Sequence, residues 1–172
     1  MKEGKINMAI KDSGNRTEFE TGAVRDMSSG KGRFDLMPIE SLCKLLNDKV
    51  LNCLKEYNQT KDPCWFVNAI EAFIPLYWDN YDIPDYLHEE NCCVNADKCE
   101  YASVLLDVSV HFEEGALKYG ENNWQKGIPI SSYIDSGLRH YFKHKYGLVD
   151  EHHNRAFVWN MMCAYWTVIN DK

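Results

Sequence analysis

Wherever apolar residues cluster along the chain, they recur at helical spacing. Ile39, Leu42, Leu46 and Val50 lie three or four apart, after a Pro38 that suits a first helical turn. A second apolar stretch runs from Trp65 to Tyr77, and Pro75 is expected to stop it. The second half reads as three helices over about 101–120, 132–146 and 151–170, with breaks at Gly120, Gly127, Pro129 and Gly147. Strand-like alternation, internal repeats and low-complexity tracts are not evident, so the pattern predicts an all-α helical bundle. Residues 1–20 are polar and aperiodic and are predicted to form a flexible arm; 21–172 are predicted to form one domain. Residues 78–100 are acidic and turn-rich and are expected as a surface excursion.

Two polar interruptions stand out. On a wheel of the 101–120 helix, Leu105, Leu106, Val108, Val110, Phe112, Ala116, Leu117 and Tyr119 share one arc, with Asp107, His111, Glu114 and Lys118 opposite. Glu113 falls inside the apolar arc, where a carboxylate must be paired, protonated or metal-bound. A structural ion pair to a neighbouring helix and a functional role are both open. The last helix is apolar nearly all round from Ala156 to Ile169, which predicts a central position. His153, Asn160 and Thr167 run down it seven apart. Asn160 is either a register-setting core amide or part of a polar cavity.

Composition narrows the function classes. The 172 residues carry a net charge of −7, which gives little reason to coat a nucleic-acid polymer. A 45% hydrophobic content argues against wholesale disorder. The 14-residue run Ala156–Ile169 falls short of the roughly 20 that a membrane span needs. Seven cysteines without paired CxxC spacing, and no signal-peptide pattern, lead to the expectation of a reduced, cytoplasmic protein. The group His88, Cys92, Cys93 and Cys99 fits no common zinc spacing.

The remaining polar residues supply candidate chemistry. The loop from Thr21 to Pro38 carries Arg25, Lys31 and Arg33. Asp135 fits a capping-box-like start with Ser132 and is an i,i+4 partner of Arg139. His140 and His144 have the i,i+4 spacing of a metal pair, although His144, between Lys143 and Lys145, is expected to be solvated. Asp150 and Glu151 either cap the last helix or, with His153, make a hard-metal corner. Asn122, Asn123 and Trp124 offer amides and a stacking face. Together with Lys31, Arg33 and Lys118 they supply what a nucleotide site needs: cations, an aromatic or amide group, and carboxylates.

These blocks resemble a known family. Thr21-Gly-Ala with Gly30-Lys-Gly-Arg-Phe-Asp-Leu-Met-Pro38, and Phe112-Glu-Glu-Gly-Ala-Leu-Lys-Tyr119 followed by Asn123-Trp124, are similar to the phage dATP/dGTP diphosphohydrolase family (MazZ-type, related to MazG-like pyrophosphohydrolases). So are Asp135-Ser-Gly-Leu-Arg-His140, Asp150-Glu-His-His153 and Trp159-Asn160. The resemblance covers about 20–55 and 101–170; the stretch of about 56–100 has no counterpart and reads as an acidic, Cys-containing insertion. It implies a MazG-like all-α fold and hydrolysis of a purine deoxynucleoside triphosphate to monophosphate and pyrophosphate with Mg2+ or Mn2+. It also implies a role in phages whose DNA carries 2-aminoadenine, hence the host bacterial cytoplasm. The chain departs from the wider MazG-like pattern in having adjacent Glu113 and Glu114 and no ExxD pair.

On that resemblance, Glu113, Asp135, Asp150 and Glu151 are the expected metal ligands, with Glu113 and Glu114 catalytic and Glu114 the base for water. Lys31, Arg33, Lys118 and Arg139 are expected on the phosphates. Asn123, Trp124, His153 and Asn160 are expected around base and sugar. The partner is a small-molecule purine dNTP, with no nucleic-acid polymer and no membrane, and a homo-oligomer (dimer or tetramer) is expected from the 13% aromatic content. Two alternatives compete: an HD-type dNTP phosphohydrolase, although no His-Asp dipeptide exists here, and a non-enzymatic helical host-interaction protein.

Overall fold

A computed structural model describes residues 14–27, 30–83 and 96–170. The chain is mostly helical, as the periodicity predicts. Among the described residues, six helices follow a small hairpin: α1 (Ile39–Leu46), α2 (Lys49–Thr60), α3 (Cys64–Phe73), α4 (Ala96–Tyr119), α5 (Ile130–Tyr146) and α6 (His153–Asn170). Central α6 is buried nearly all round and packs against α3, α4 and α5. Its misplaced polar groups turn inward: Asn160 Nδ2 donates to Ala156 O at 2.7 Å, and Thr167 Oγ1 to Cys163 O at 2.8 Å. Gly147, at φ +82°, closes α5, and the amides of Gly147 and Leu148 reach the carbonyls of His144 and Lys143.

Several sequence expectations are corrected. The arm is not structureless up to residue 20: Arg16–Glu18 (β1) pairs antiparallel with Val24–Asp26 (β2), Thr17 opposite Arg25. The pairing covers three residues, too few for alternation to register. Residues 1–13 lie outside the described residues, as do His88, Cys92, Cys93 and the side chain of Cys99. Pro75 ends the α-helical part of its stretch, at Phe73, but the chain continues through Ile74–Leu76 as a 3-10 turn that Pro tolerates near its start. The apolar stretch Trp65–Tyr77 joins the core: Phe66, Ala69, Phe73 and Tyr77 are buried, and Phe73 meets Phe157 of α6 at 4.6 Å; most of the surface excursion expected at 78–100 lies outside the described residues.

The wheel of α4 is inverted. Val104, Asp107, Val108 and His111 face inward at i, i+3, i+4, i+7, whereas Leu105, Leu106 and Leu117 are exposed and so is Glu113. The cause lies on α6: Arg155 Nη2 donates to Asp107 Oδ1, and Tyr77 Oη donates to Asp107 Oδ2 at 2.8 Å. A buried ion pair thus decides which side of α4 is covered, and Glu113 is not the buried carboxylate of this helix.

His144 is likewise not solvated. It is 2% exposed, its Nε2 donates to Leu76 O at 2.7 Å, and Phe73 meets its ring edge-on. Burial holds its pKa below the ordinary value, and burial followed by the nearby Arg155 charge pushes His111 down to about 3. The unfolded chain therefore takes up these protons first, so stability is full above the unfolded histidine range and falls as pH drops through it. From neutral pH to about pH 5, His111 alone is expected to cost about 2 kcal/mol. Urea unfolding at the two pH values checks this, and a midpoint that stays level or rises at the lower pH refutes it.

Candidate functional site

A cavity of about 1190 Å³ opens between the hairpin, the loop at 31–36, the C-terminal half of α4, the turn after it, and the facing sides of α5 and α6. That exceeds the roughly 300–1,000 Å³ of ordinary ligand pockets. Its walls are built by long-range bonds from polar side chains. Asn123 fixes β2 against the turn after α4: its Oδ1 accepts from Val24 N at 2.8 Å and its Nδ2 donates to Val24 O at 2.6 Å. Asp135, on α5, accepts from Phe34 N at 2.6 Å and pairs with Arg139. Arg139 Nε donates to Lys31 O at 3.1 Å, and Phe34 stacks on Phe142. The 31–36 loop is thereby pinned across α5.

Most cations at the cavity carry carboxylates. Lys31 pairs with Asp26 at 2.6 Å, Arg33 with Asp35 at 2.6 Å, and Lys143 with Glu151 at 3.6 Å. The Arg33 bond holds the Asp35 carboxyl below its usual range. Arg25 differs. No carboxylate pairs with it among the described residues. Its Nη2 donates to Asn160 Oδ1 at 2.9 Å, and its guanidinium carbon lies 5.1 Å from the Tyr133 ring centre and 5.8 Å from that of Trp159. Nη1 is buried without a partner, as are Trp159 Nε1 and His111 Nδ1. Arg25, Trp159 and His111 all line the cavity. Burial lowers the Arg25 pKa, the mark of a desolvated cation without an anion.

Nine of the sequence-nominated residues line this cavity: Lys31, Arg33, Glu113, Asn123, Trp124, Asp135, Arg139, Glu151 and Asn160. Glu114, Lys118, Asp150 and His153 do not. Lys118 sits over the Tyr119 ring, 5.1 Å from its centre. Buried His153 bonds Asp150 through Nε2 at 2.8 Å, which corrects its expected place in a base or sugar pocket. The amide of Asn123 is engaged by Val24 and so positions β2 instead of meeting a base. Asp135 is no helix cap, because α5 starts five residues earlier and Asp135 is buried beneath the loop it holds. Sequence reasoning saw Arg25 only as a loop cation, His111 only on the polar side of the wheel, and Trp159 only within the Trp159-Asn160 block, with no site role for any of them. The signal available was the Arg next to the Thr21-Gly-Ala turn.

Residues 96–172 match the family model described as dATP/dGTP diphosphohydrolase, N-terminal. Over that segment the chain is similar to this family. No curated protein and no solved structure matches. The matched segment supplies the α4, α5 and α6 walls of the cavity; Arg25 and the 31–36 loop come from outside it. No helix among the described residues is long and apolar enough to cross a membrane.

Mg2+, the ion that the resemblance implies, requires near-octahedral oxygen ligation. Asp135 is held by Arg139 and the Phe34 amide, and Asp150 by His153. Glu151 lies beside two imidazoles, with its Oε1 3.7 Å from His140 Nδ1 and 3.5 Å from His153 Nδ1. Asp135, Asp150 and Glu151 therefore do not form an all-oxygen cage.

Proposed function

We propose that the cavity binds a purine deoxynucleoside triphosphate, dATP or dGTP, and hydrolyses it to the monophosphate and pyrophosphate. The family match supports the reaction class. The observation that carries the site is Arg25, a buried guanidinium with a free N–H and no carboxylate partner among the described residues. A phosphate oxygen supplies the missing anion through a charge-assisted bond. Trp159 Nε1 and His111 Nδ1 are further polar atoms available to the same ligand. Phe112, Trp124 and Trp159 make an aromatic wall for the purine, with Phe112 5.8 Å from Trp124 and 6.0 Å from Trp159. Lys31 and Arg33 lie at the rim, where a phosphate would compete with Asp26 and Asp35 for them. Water attacks the α-phosphorus, the bond from that phosphorus to the bridging oxygen breaks, and pyrophosphate leaves. Glu113, on the cavity wall, takes the water proton.

We extend the reading to nucleotide-pool control in the cytoplasm of a phage-infected bacterium whose DNA carries 2-aminoadenine. The exposed leucines of α4 support a second copy of the chain as partner. One observation favours a second reading: His140 and His153 beside Glu151 suit the metal-histidine chemistry of a phosphohydrolase that releases inorganic triphosphate. Incubation with each of the eight ribo- and deoxynucleotides plus Mg2+ or Mn2+, followed by chromatography, tests both. Pyrophosphate with dAMP or dGMP is the expected product pair. Triphosphate with a nucleoside selects the second reading, and no turnover refutes both.

A further inference from the structure

We infer that His140, Glu151 and His153 form a binding site for one transition-metal dication, of the Mn2+ to Zn2+ series, in preference to Mg2+. The inference is independent of the nucleotide reading, because it rests on the geometry of three donor atoms. His140 Nδ1 and His153 Nδ1 are 3.1 Å apart, and Glu151 Oε1 is 3.7 and 3.5 Å from them. A single point then lies about 2 Å from all three, the length of a metal–imidazole or metal–carboxylate bond.

The surroundings prepare the donors. Asp150 Oδ1 takes the N–H at Nε2 of His153 at 2.8 Å, which leaves Nδ1 as the lone-pair nitrogen that points at His140. A carboxylate behind a ligating histidine is the usual means of fixing its tautomer and orientation. His153 is fully buried, and the side chains of His140 and Glu151 are each 14% exposed, so the donors are held by packing. His140 and Glu151 line the large cavity, so the remaining coordination positions of the ion face it. Two imidazoles and one carboxylate suit transition metals, whereas Mg2+ dehydrates reluctantly and favours oxygen. Lys143 Nζ, 3.6 Å from Glu151 Oε1, is the local competitor and must swing aside when the ion enters.

Without the ion the same atoms satisfy one another. His140 Nδ1–H donates to His153 Nδ1, and His153 Nε2–H donates to Asp150. When the ion binds, neutral His140 takes its other tautomer: its single proton moves from Nδ1 to Nε2, which leaves the Nδ1 lone pair for the ion.

The test uses the full chain, untagged and chelator-treated, without nucleotide. One equivalent of Zn2+ is expected by calorimetry, and Co2+ is expected to give a visible d–d band that excess Mg2+ does not remove. His140→Asn and Glu151→Gln, both on the cavity wall, are expected to lose that band while keeping the helical circular-dichroism signal. Asp150→Asn is expected to weaken Zn2+ about tenfold to a hundredfold. The inference is overturned if the folded wild type binds no Zn2+, if Mg2+ displaces Co2+, or if the His140 and Glu151 variants bind as the wild type does.

Discussion

Replacing Arg25 with Met is expected to leave a folded protein that binds the proposed nucleotide far more weakly. The Met stem keeps the packing on Tyr133 and Trp159, and the substitution removes a desolvated cation that no carboxylate among the described residues compensates. Asn160 Oδ1 loses one donor. Gain and loss are each about 1 kcal/mol, so the unfolding midpoint without ligand is expected to stay close to wild type or rise. Binding behaves differently, because a phosphate deprived of a buried charged donor loses about 2–4 kcal/mol, roughly 30- to 1,000-fold in affinity. Arg25→Lys retains the charge without the planar fork and is expected between the two. Nucleotide titration and thermal melting of the same samples separate the effects. Wild-type affinity in the Met variant removes Arg25 from the site.

The largest loss of stability is expected from Asp107→Ala. Asp107 is 1% exposed and accepts from Arg155 and Tyr77. Its removal strands the Arg155 guanidinium, whose Nε already lacks a partner. Breaking a buried pair from one side costs about 3–5 kcal/mol, a large part of a total that is about 5–15 kcal/mol for a domain. At about 2–4 °C per kcal/mol, the melting midpoint is expected to fall by about 10 °C. The double replacement Asp107→Leu with Arg155→Met removes both charges and is expected to recover most of that loss. If Asp107→Ala melts within a degree or two of wild type, this ion pair does not hold α4 to α6.

Both residues show where sequence reading reaches its limit. A wheel reports which side of α4 is greasy, and it placed Asp107 outside and Glu113 inside. The observed order is the reverse, because Arg155, 48 positions along the chain, meets Asp107 in the core. Arg25 occupies a small-residue loop that carries no periodic signal. Its importance follows from Asn123 gripping Val24 across 99 positions and turning the next residue toward the cavity. The same distance effect hides the histidine cluster, since His140 and His153 belong to different helices and meet only after α5 folds back along α6.

The amino-acid order by itself determined the helical class, the central place of α6, the break at Gly147 and the family likeness, because these depend on spacing within a dozen residues or on short blocks of residue types. Only the tertiary structure decided which face of α4 is covered, which cations are neutralised and which donor atoms converge. Those outcomes depend on pairing between distant segments, and burial multiplies the energy of each pair beyond what any local pattern carries.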